Sequence, residues 1–298
     1  MDASALVATV AVLAGCAAVP QSPSAPRADP GVPATLPDGP ASPAGDPAFG
    51  DAGALLDAVE QVAARMRDFR SAVTVETTDD VTGDTERRHG QVVLVQAEGA
   101  PATRRFAVVL EQFIDGSGRA DDRPVRYVYA DGWLTEADFR ERTLVRRQLA
   151  RPGEQYDPLK PGEGPVPLPI GQRRDDVLRR FEASLAGAPD AESLKRLAGR
   201  MVGLRLRPRP GMADRDLVEA TVWYDAESLV PRGVEARRRS GRTVVLLRGA
   251  AVNAGLDDAQ RALLSLAEGT TEGWRVDERP LPAAGPRPTE GDPAEPRP

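Results

Sequence analysis

The feature that most limits the fold of this chain is a series of strand-like segments that follow one another without helices between them. Apolar and polar residues alternate within the segments, and Gly- and Asp-rich turns separate them. They lie at 71–78, 91–96, 104–114, 124–130, 133–137 and 143–149. Such spacing argues against a parallel α/β sheet. The pattern therefore predicts an antiparallel meander, which is typical of a sandwich or a curled barrel.

A second group of strand-like segments follows a Pro- and Gly-rich loop at 152–171. These segments lie at 202–207, 217–224, 232–238, 242–249 and 274–278. Two short helical segments precede the group, at 175–185 and at 190–198, and Asp190 is the predicted N-cap of the second. The whole pattern predicts a mainly β fold with about ten or eleven strands and about three helices.

An amphipathic helix opens the folded region. Seven apolar residues recur there at helical spacing: Leu55, Leu56, Val59, Val62, Ala63, Met66 and Phe69. We expect this helix and the two mid-chain helices to cover the concave face of a strongly curved antiparallel sheet. An apolar pocket would then lie beneath a loosely held lid.

Both ends of the chain lack the residues needed for a hydrophobic core. Pro, Ala, Ser, Gly and Asp dominate 16–50, and 283–298 has the same character, so we expect a linker and a disordered tail flanking one domain at 51–282. Residues 1–15 are an apolar run that leads through Leu13-Ala14-Gly15 to Cys16, the only cysteine. This is typical of a lipoprotein signal peptide with Cys16 as the lipid attachment site, although Asp2 stands where a basic residue is usual.

Composition excludes several functional classes. The net charge of −6 and the pI of about 5.1 argue against a nucleic-acid partner, which requires a basic face. With one histidine, His89, and one cysteine, the chain cannot form a His/Cys metal cluster. The sequence contains no nucleophile elbow, zinc-protease motif, P-loop or dinucleotide motif. We therefore expect a protein that is not an enzyme and that needs no metal and no cofactor.

Several short motifs occur in an order that resembles a known family. Tyr-Ala-Asp-Gly-Trp-Leu at 129–134 precedes Thr-Leu-Val-Arg-Arg at 143–147, and Glu-Ala-Thr-Val-Trp-Tyr-Asp at 219–225 precedes Leu-Val-Pro at 229–231. Gly-Trp-Arg-Val at 273–276 follows near the end. In this order, over 55–281, the chain resembles the LolA/LolB-like lipoprotein-localisation family of the bacterial periplasm. The resemblance implies an unclosed antiparallel barrel with a helical lid and a hydrophobic cavity that takes up the acyl chains of lipoproteins.

The resemblance also implies roles for particular residues. A lid-latching arginine of the family corresponds in position to Arg105, with Arg104 as the alternative. Ordinary core or surface packing is the competing interpretation for these arginines and for each candidate lining residue. The candidate lining of the lipid cavity is Phe106, Val108, Leu110, Tyr127, Tyr129, Trp133, Trp223 and Leu246.

The predicted function combines the lipid anchor with the cavity. We expect an exported protein, tethered to the outer membrane on its periplasmic side, that binds lipoprotein acyl chains and carries or accepts them for outer-membrane localisation. Ala17 after Cys16 favours the outer membrane, and the anchor favours a receptor over a free shuttle. Partners would be acyl lipid and a cognate lipoprotein carrier or release complex. The alternative is a tethered lipid-binding or envelope-stress sensory module without transfer activity.

Overall fold

A computed structural model describes residues 49–96, 104–151, 154, 173–211, 216–267 and 269–282. The predicted signal peptide, the lipid attachment site Cys16, nearly all of the linker and the predicted C-terminal tail lie outside these residues.

Twelve strands and four helices make up the described part of the chain. The helices are α1 (Ala52–Ala64), α2 (Arg174–Arg180), α3 (Glu192–Lys195) and α4 (Asp258–Ala262). The first six strands are β1 (Asp68–Asp79), β2 (Thr85–Gln96), β3 (Arg104–Ile114), β4 (Ala120–Ala130), β5 (Trp133–Asp138) and β6 (Thr143–Gln148). The others are β7 (Phe181–Ala186), β8 (Met201–Pro208), β9 (Leu217–Asp225), β10 (Pro231–Arg238), β11 (Gly241–Val252) and β12 (Arg275–Arg279).

All twelve strands belong to a single sheet in the order β12-β6-β5-β4-β3-β2-β1-β11-β10-β9-β8-β7. The two predicted meanders meet where β1 pairs with β11. The outermost strands, β12 and β7, do not pair with each other, so the barrel is unclosed. The predicted fold class is confirmed, with one exception in strand direction: β12 pairs with β6 in parallel.

One face of the sheet, called the concave face below, packs against α1. The helix begins at the N-cap Asp51, whose side chain accepts a hydrogen bond from the backbone N–H of Ala54 at 2.8 Å. Leu55, Leu56 and Val59 of α1 are buried in the same hydrophobic cluster as side chains of ten strands. Each of these side chains contributes roughly 1.5–3 kcal/mol through burial, so α1 is held mainly by apolar contacts.

The opposite face, called the convex face, has two smaller covers. Around α3, Leu194 and Leu197 pack on Trp223, Val244 and Leu246 of the sheet. A second cluster lies near α4, on the other half of this face. It consists of Val93, Ala107 and Val128 of the sheet and Leu256 of the segment before α4. Both faces of the sheet therefore carry buried apolar residues, so an apolar side chain in a strand does not by itself indicate the concave face.

Two predicted helix boundaries are wrong. The segment predicted as helix over 175–185 is helical only to Arg180, and β7 begins at Phe181. Phe181, Ala183 and Leu185 alternate and pack on the concave-face core, so pairing with β8 prevails over helical propensity. At the other end, α1 ends at Ala64, and Phe69 of the predicted helical face belongs to β1.

The remaining differences concern helix caps. Ala191, not Asp190, occupies the N-cap position of α3, and no side chain caps it. The helix α4 was not predicted, although its capping box could have revealed it. Asp257 accepts from the backbone N–H of Gln260 at 2.8 Å, and Gln260 Oε1 accepts from the backbone N–H of Asp257 at 3.1 Å.

The close packing of the convex face yields a test at Gly203. A methyl group there would collide with the Trp223 ring and lie 2.8 Å from the Ala186 Cβ. We expect Gly203→Ala to lower the free energy of unfolding by about 1–3 kcal/mol, measured by urea denaturation, because the site is already filled. Gly187→Ala is the matched control, since no atom lies within 4 Å of its added methyl group. Equal stabilities of the two variants would contradict this packing.

Candidate functional site

Five of the eight predicted lining residues lie together on the concave face. Phe106 of β3 pairs with Tyr129 of β4, and Val108 pairs with Tyr127, so the four side chains form adjacent rows. The rings of Phe106 and Tyr129 stack with centroids 5.8 Å apart. Leu110 continues the row on β3, and all five residues belong to the cluster that contains α1. This arrangement forms a continuous apolar floor beneath the helix.

The other three predicted lining residues lie on the convex face. Trp223 and Leu246 are buried in the cluster around α3. Trp133 precedes Leu134, which packs in the concave-face cluster, so alternation places Trp133 on the other side of the sheet. The guanidinium of Arg146 lies 4.8 Å from the Trp133 ring. These three side chains do not line the space beneath α1. The prediction that they share one lining with the other five residues is therefore wrong.

The predicted lid-latching residue also lies on the convex face. Arg105 alternates with the buried concave-face residue Phe106, and its guanidinium donates to Asp131 Oδ1 at 2.8 Å. Both side chains of this ion pair are substantially exposed. A latching role for Arg105 toward α1 does not fit this position. The alternative, Arg104, is half-buried on the concave side of β3.

The polar contacts that do reach α1 come from α2. Arg174 Nε lies 3.3 Å from Asp57 Oδ1, and the Arg174 backbone N–H donates to Glu60 Oε2 at 2.9 Å. The ion-paired side chains are 40% and 54% exposed. Exposed ion pairs contribute about 0–1 kcal/mol, so these contacts orient α1 more than they stabilise it. These contacts of α1 with Arg174 were not predicted, because residues so far apart in the chain give no local signal.

A partly buried polar group lies beside the apolar floor, at β4, β5 and β6. Tyr127 Oη donates to Glu136 Oε1 at 3.5 Å, and Arg147 Nη1 lies 3.7 Å from Glu136 Oε2. Burial raises the pKa of the Glu136 carboxyl, and Arg147 only partly opposes this. Burial also raises the pKa of the Tyr127 hydroxyl. Glu136 is therefore a poorly solvated carboxylate with long contacts.

Two pockets in the described part of the chain lie on the convex face. The larger, of about 270 Å³, lies between α3 and the strands β2, β1 and β11, and it is lined mainly by polar side chains including Glu76, Arg87 and Arg242. The smaller, of about 30 Å³, lies beside Trp223, Glu219 and Glu235. On the concave face the apolar floor is filled by α1 itself, with Leu55 and Val108 fully buried.

The described residues contain neither a cluster of metal ligands nor a helix that could span a membrane. Among the residues described, no three His, Cys, Asp or Glu side chains are arranged to hold a metal ion. Within the same residues, every helix is too short or too polar to cross a membrane.

Comparison with known proteins gives structural neighbours only. No protein-family model and no curated protein matches the sequence. A LolA superfamily protein from Nitrosomonas europaea is 9% identical, with a TM-score of 0.30 over 71% of this chain and 97% of that one. The Mycobacterium tuberculosis lipoprotein LppX is 14% identical, with a TM-score of 0.36 over 69% and 96%. MucB in the MucA/MucB complex of Pseudomonas aeruginosa is a third neighbour, at 12% identity and a TM-score of 0.39 over 72% and 61%.

The superfamily that the sequence resembles is thus present among the solved structures similar to this one. At these identities the similarity concerns the fold alone, and it says nothing about what this chain binds.

The raised pKa of Glu136 gives a pH-dependent test. Because the folded-state pKa exceeds the ordinary value of 4.5, the folded protein binds this proton more tightly than the unfolded chain does. Lowering the pH from above the folded-state pKa to 4.5 should therefore stabilise wild type relative to Glu136→Gln. Urea denaturation at about pH 8 and about pH 4.5 measures the difference. Parallel pH profiles of the two proteins would contradict the shift, and Glu76→Gln controls for the substitution itself.

Proposed function

We propose that this chain binds acyl chains on its concave face and carries or accepts lipoproteins for localisation to the outer membrane. The observation that carries the proposal is an unclosed sheet whose apolar floor is covered mainly by the short amphipathic helix α1, with Val177 of α2 beside it. Most sheets of this kind bury such a face against a second sheet or several helices. Here α1, a helix of 13 residues with an exposed ion pair to α2, is the element that a ligand would have to displace.

Exchange of α1 for an acyl chain is energetically balanced. Each CH₂ group that leaves water gains about 0.8 kcal/mol, so a chain of about ten carbons recovers what burial of a few Leu and Val side chains contributes. The exposed ion pair between Asp57 and Arg174 adds little to the barrier. An acyl chain can therefore replace α1 on the floor, and α1 can cover the floor again after the ligand leaves.

Binding without catalysis is supported by the environment of the one histidine. His89 Nδ1 lies 2.9 Å from Thr74 Oγ1 on the convex face. Burial lowers the pKa of His89, and neither residue lines either of the two pockets. Nucleophilic catalysis needs a base, a nucleophile and room for a substrate in one place.

The tether and the cellular location belong to the same proposal. Cys16 would carry the lipid, and the linker that follows would hold the domain away from the outer membrane on its periplasmic side. The partners would be acylated lipoproteins and a carrier that delivers them. A tethered sensory module with the same lipid-binding face is the second candidate, and it differs in retaining its ligand: a labelled lipoprotein would bind but would not pass to an acceptor.

Weakening the polar contacts of α1 tests the binding face. We expect Asp57→Asn to raise the affinity for a fluorescent fatty acid about two- to fivefold, because α1 leaves the floor more readily. Fluorescence titration measures the affinity. Asp258→Asn is the matched control, since Asp258 forms an exposed ion pair with Arg261 on α4. Absence of binding to wild type and to both variants would contradict the proposed function.

The lipid anchor has its own test. Intact-mass analysis of protein extracted from membranes should find a mature chain that begins at Cys16 and carries a mass increment of acyl groups. The Cys16→Ser variant should lose that increment and leave the membrane fraction. An unmodified mature chain that begins elsewhere would contradict the tether and favour a soluble carrier.

A further inference from the structure

The apolar floor meets two arginine side chains, on β2 and β6, and the tyrosine hydroxyl of Tyr127 on β4. We propose that Arg88, Tyr127 and Arg147, called the head-group cluster below, bind the anionic group of an acylated ligand whose hydrocarbon chain lies on the floor. This inference rests on the proposed function, because the floor must bind the chain before the cluster can select its polar end. The ligand class is an amphiphile with a phosphate or carboxylate next to its acyl chain.

Arg88 supplies a cation without a carboxylate partner. It pairs with the buried residue Val75 across β1, which places its side chain on the concave side of the sheet. The guanidinium lies 5.0 Å from the centroid of the Phe113 ring, and within the described residues it forms no ion pair. Arg87, the preceding residue, lies on the convex face and is paired with Glu76 at 3.1 Å.

Arg147 supplies one buried hydrogen-bond donor that is not used. Its side chain is only 13% exposed, and its Nε atom is buried without a hydrogen-bond partner among the described residues. The distance of 3.7 Å from Nη1 to Glu136 is longer than a hydrogen bond. The carboxylate of Asp277 on β12 is occupied by Arg279, whose Nε lies 3.0 Å from it. A guanidinium whose buried Nε has no hydrogen-bond partner is best satisfied by an anionic oxygen.

Tyr127 links the cluster to the floor. Its ring pairs with Val108 across the strands, while its hydroxyl lies at Glu136. An acyl chain along Phe106, Val108 and Leu110 would therefore place its polar end within reach of the hydroxyl. Burial raises the pKa of the Glu136 carboxyl that lies beside this hydroxyl, and Arg147 partly opposes the shift.

Two probes that differ only in charge test the cluster. We use cis-parinaric acid and its methyl ester, which carry the same fluorescent chain, and titrate each into the full chain at a pH where the acid is ionised. Wild type should bind the acid about tenfold more tightly than the ester, the size expected of one or two charge-assisted hydrogen bonds. Arg88→Gln and Arg147→Gln should each reduce this preference to about twofold or less and leave the affinity for the ester unchanged.

The chain offers a matched control for each variant. Arg87→Gln and Arg146→Gln change the adjacent residue on the same strand but on the convex face, and both should keep the wild-type preference for the acid. Arg88→Lys should retain part of the preference, because it keeps the charge. Unfolding midpoints near that of wild type establish that each variant is folded, and a variant that does not fold is replaced by the Lys substitution at its position.

The outcomes separate this inference from the proposed function. Equal binding of acid and ester by wild type, or equal losses for Arg87→Gln and Arg88→Gln, overturns the head-group cluster and leaves the acyl-binding face intact. Binding of neither probe overturns both. Inorganic phosphate that displaces the acid but not the ester supports the cluster. Phosphate that binds while neither probe does identifies a site for a free anion and overturns the lipid assignment.

Discussion

The burial of one apolar sheet face by one helix is the interaction on which the structure depends. Twelve strands form a single unclosed sheet, and the described part of the chain contains no second sheet that could pack against its concave face. The helix α1 provides the cover, with Leu55, Leu56 and Val59 inserted among the side chains of the floor. Among the described residues, α1 supplies most of the cover of the concave face together with Val177 of α2, whereas the convex face is covered around α3 and near α4.

This dependence connects the fold to the proposed function. A face that is buried by apolar contacts can exchange one apolar cover for another with little net change in free energy. The polar contacts of α1 are exposed ion pairs with α2, and the floor itself contains Glu136 and Arg147 with long, incomplete contacts. In protein cores the large majority of buried polar groups have hydrogen-bond partners. The floor thus combines an exchangeable apolar cover with polar groups that lack good partners.

The sequence predicted most strands within a few residues because alternation and turn residues are local properties. Within a strand it also predicted which side chains share a face, as for Phe106, Val108 and Leu110. It did not predict which face each strand turns toward α1. Trp223 and Leu246 are apolar because α3 covers them, and this tertiary contact leaves no local signal. The parallel pairing of β12 and the contacts of Arg147 depend on long-range placement in the same way.

Hydrogen exchange of the α1 backbone amides during ligand binding tests the central claim most directly, because it reports whether the ligand and the helix compete for one surface. Saturation with a fatty acid should increase exchange along Ala52–Ala64 while the amides of the neighbouring strands β1 and β11 keep their protection. If α1 stays as protected as in the free protein while the ligand saturates its site, the acyl chain does not replace the helix, and the account is contradicted.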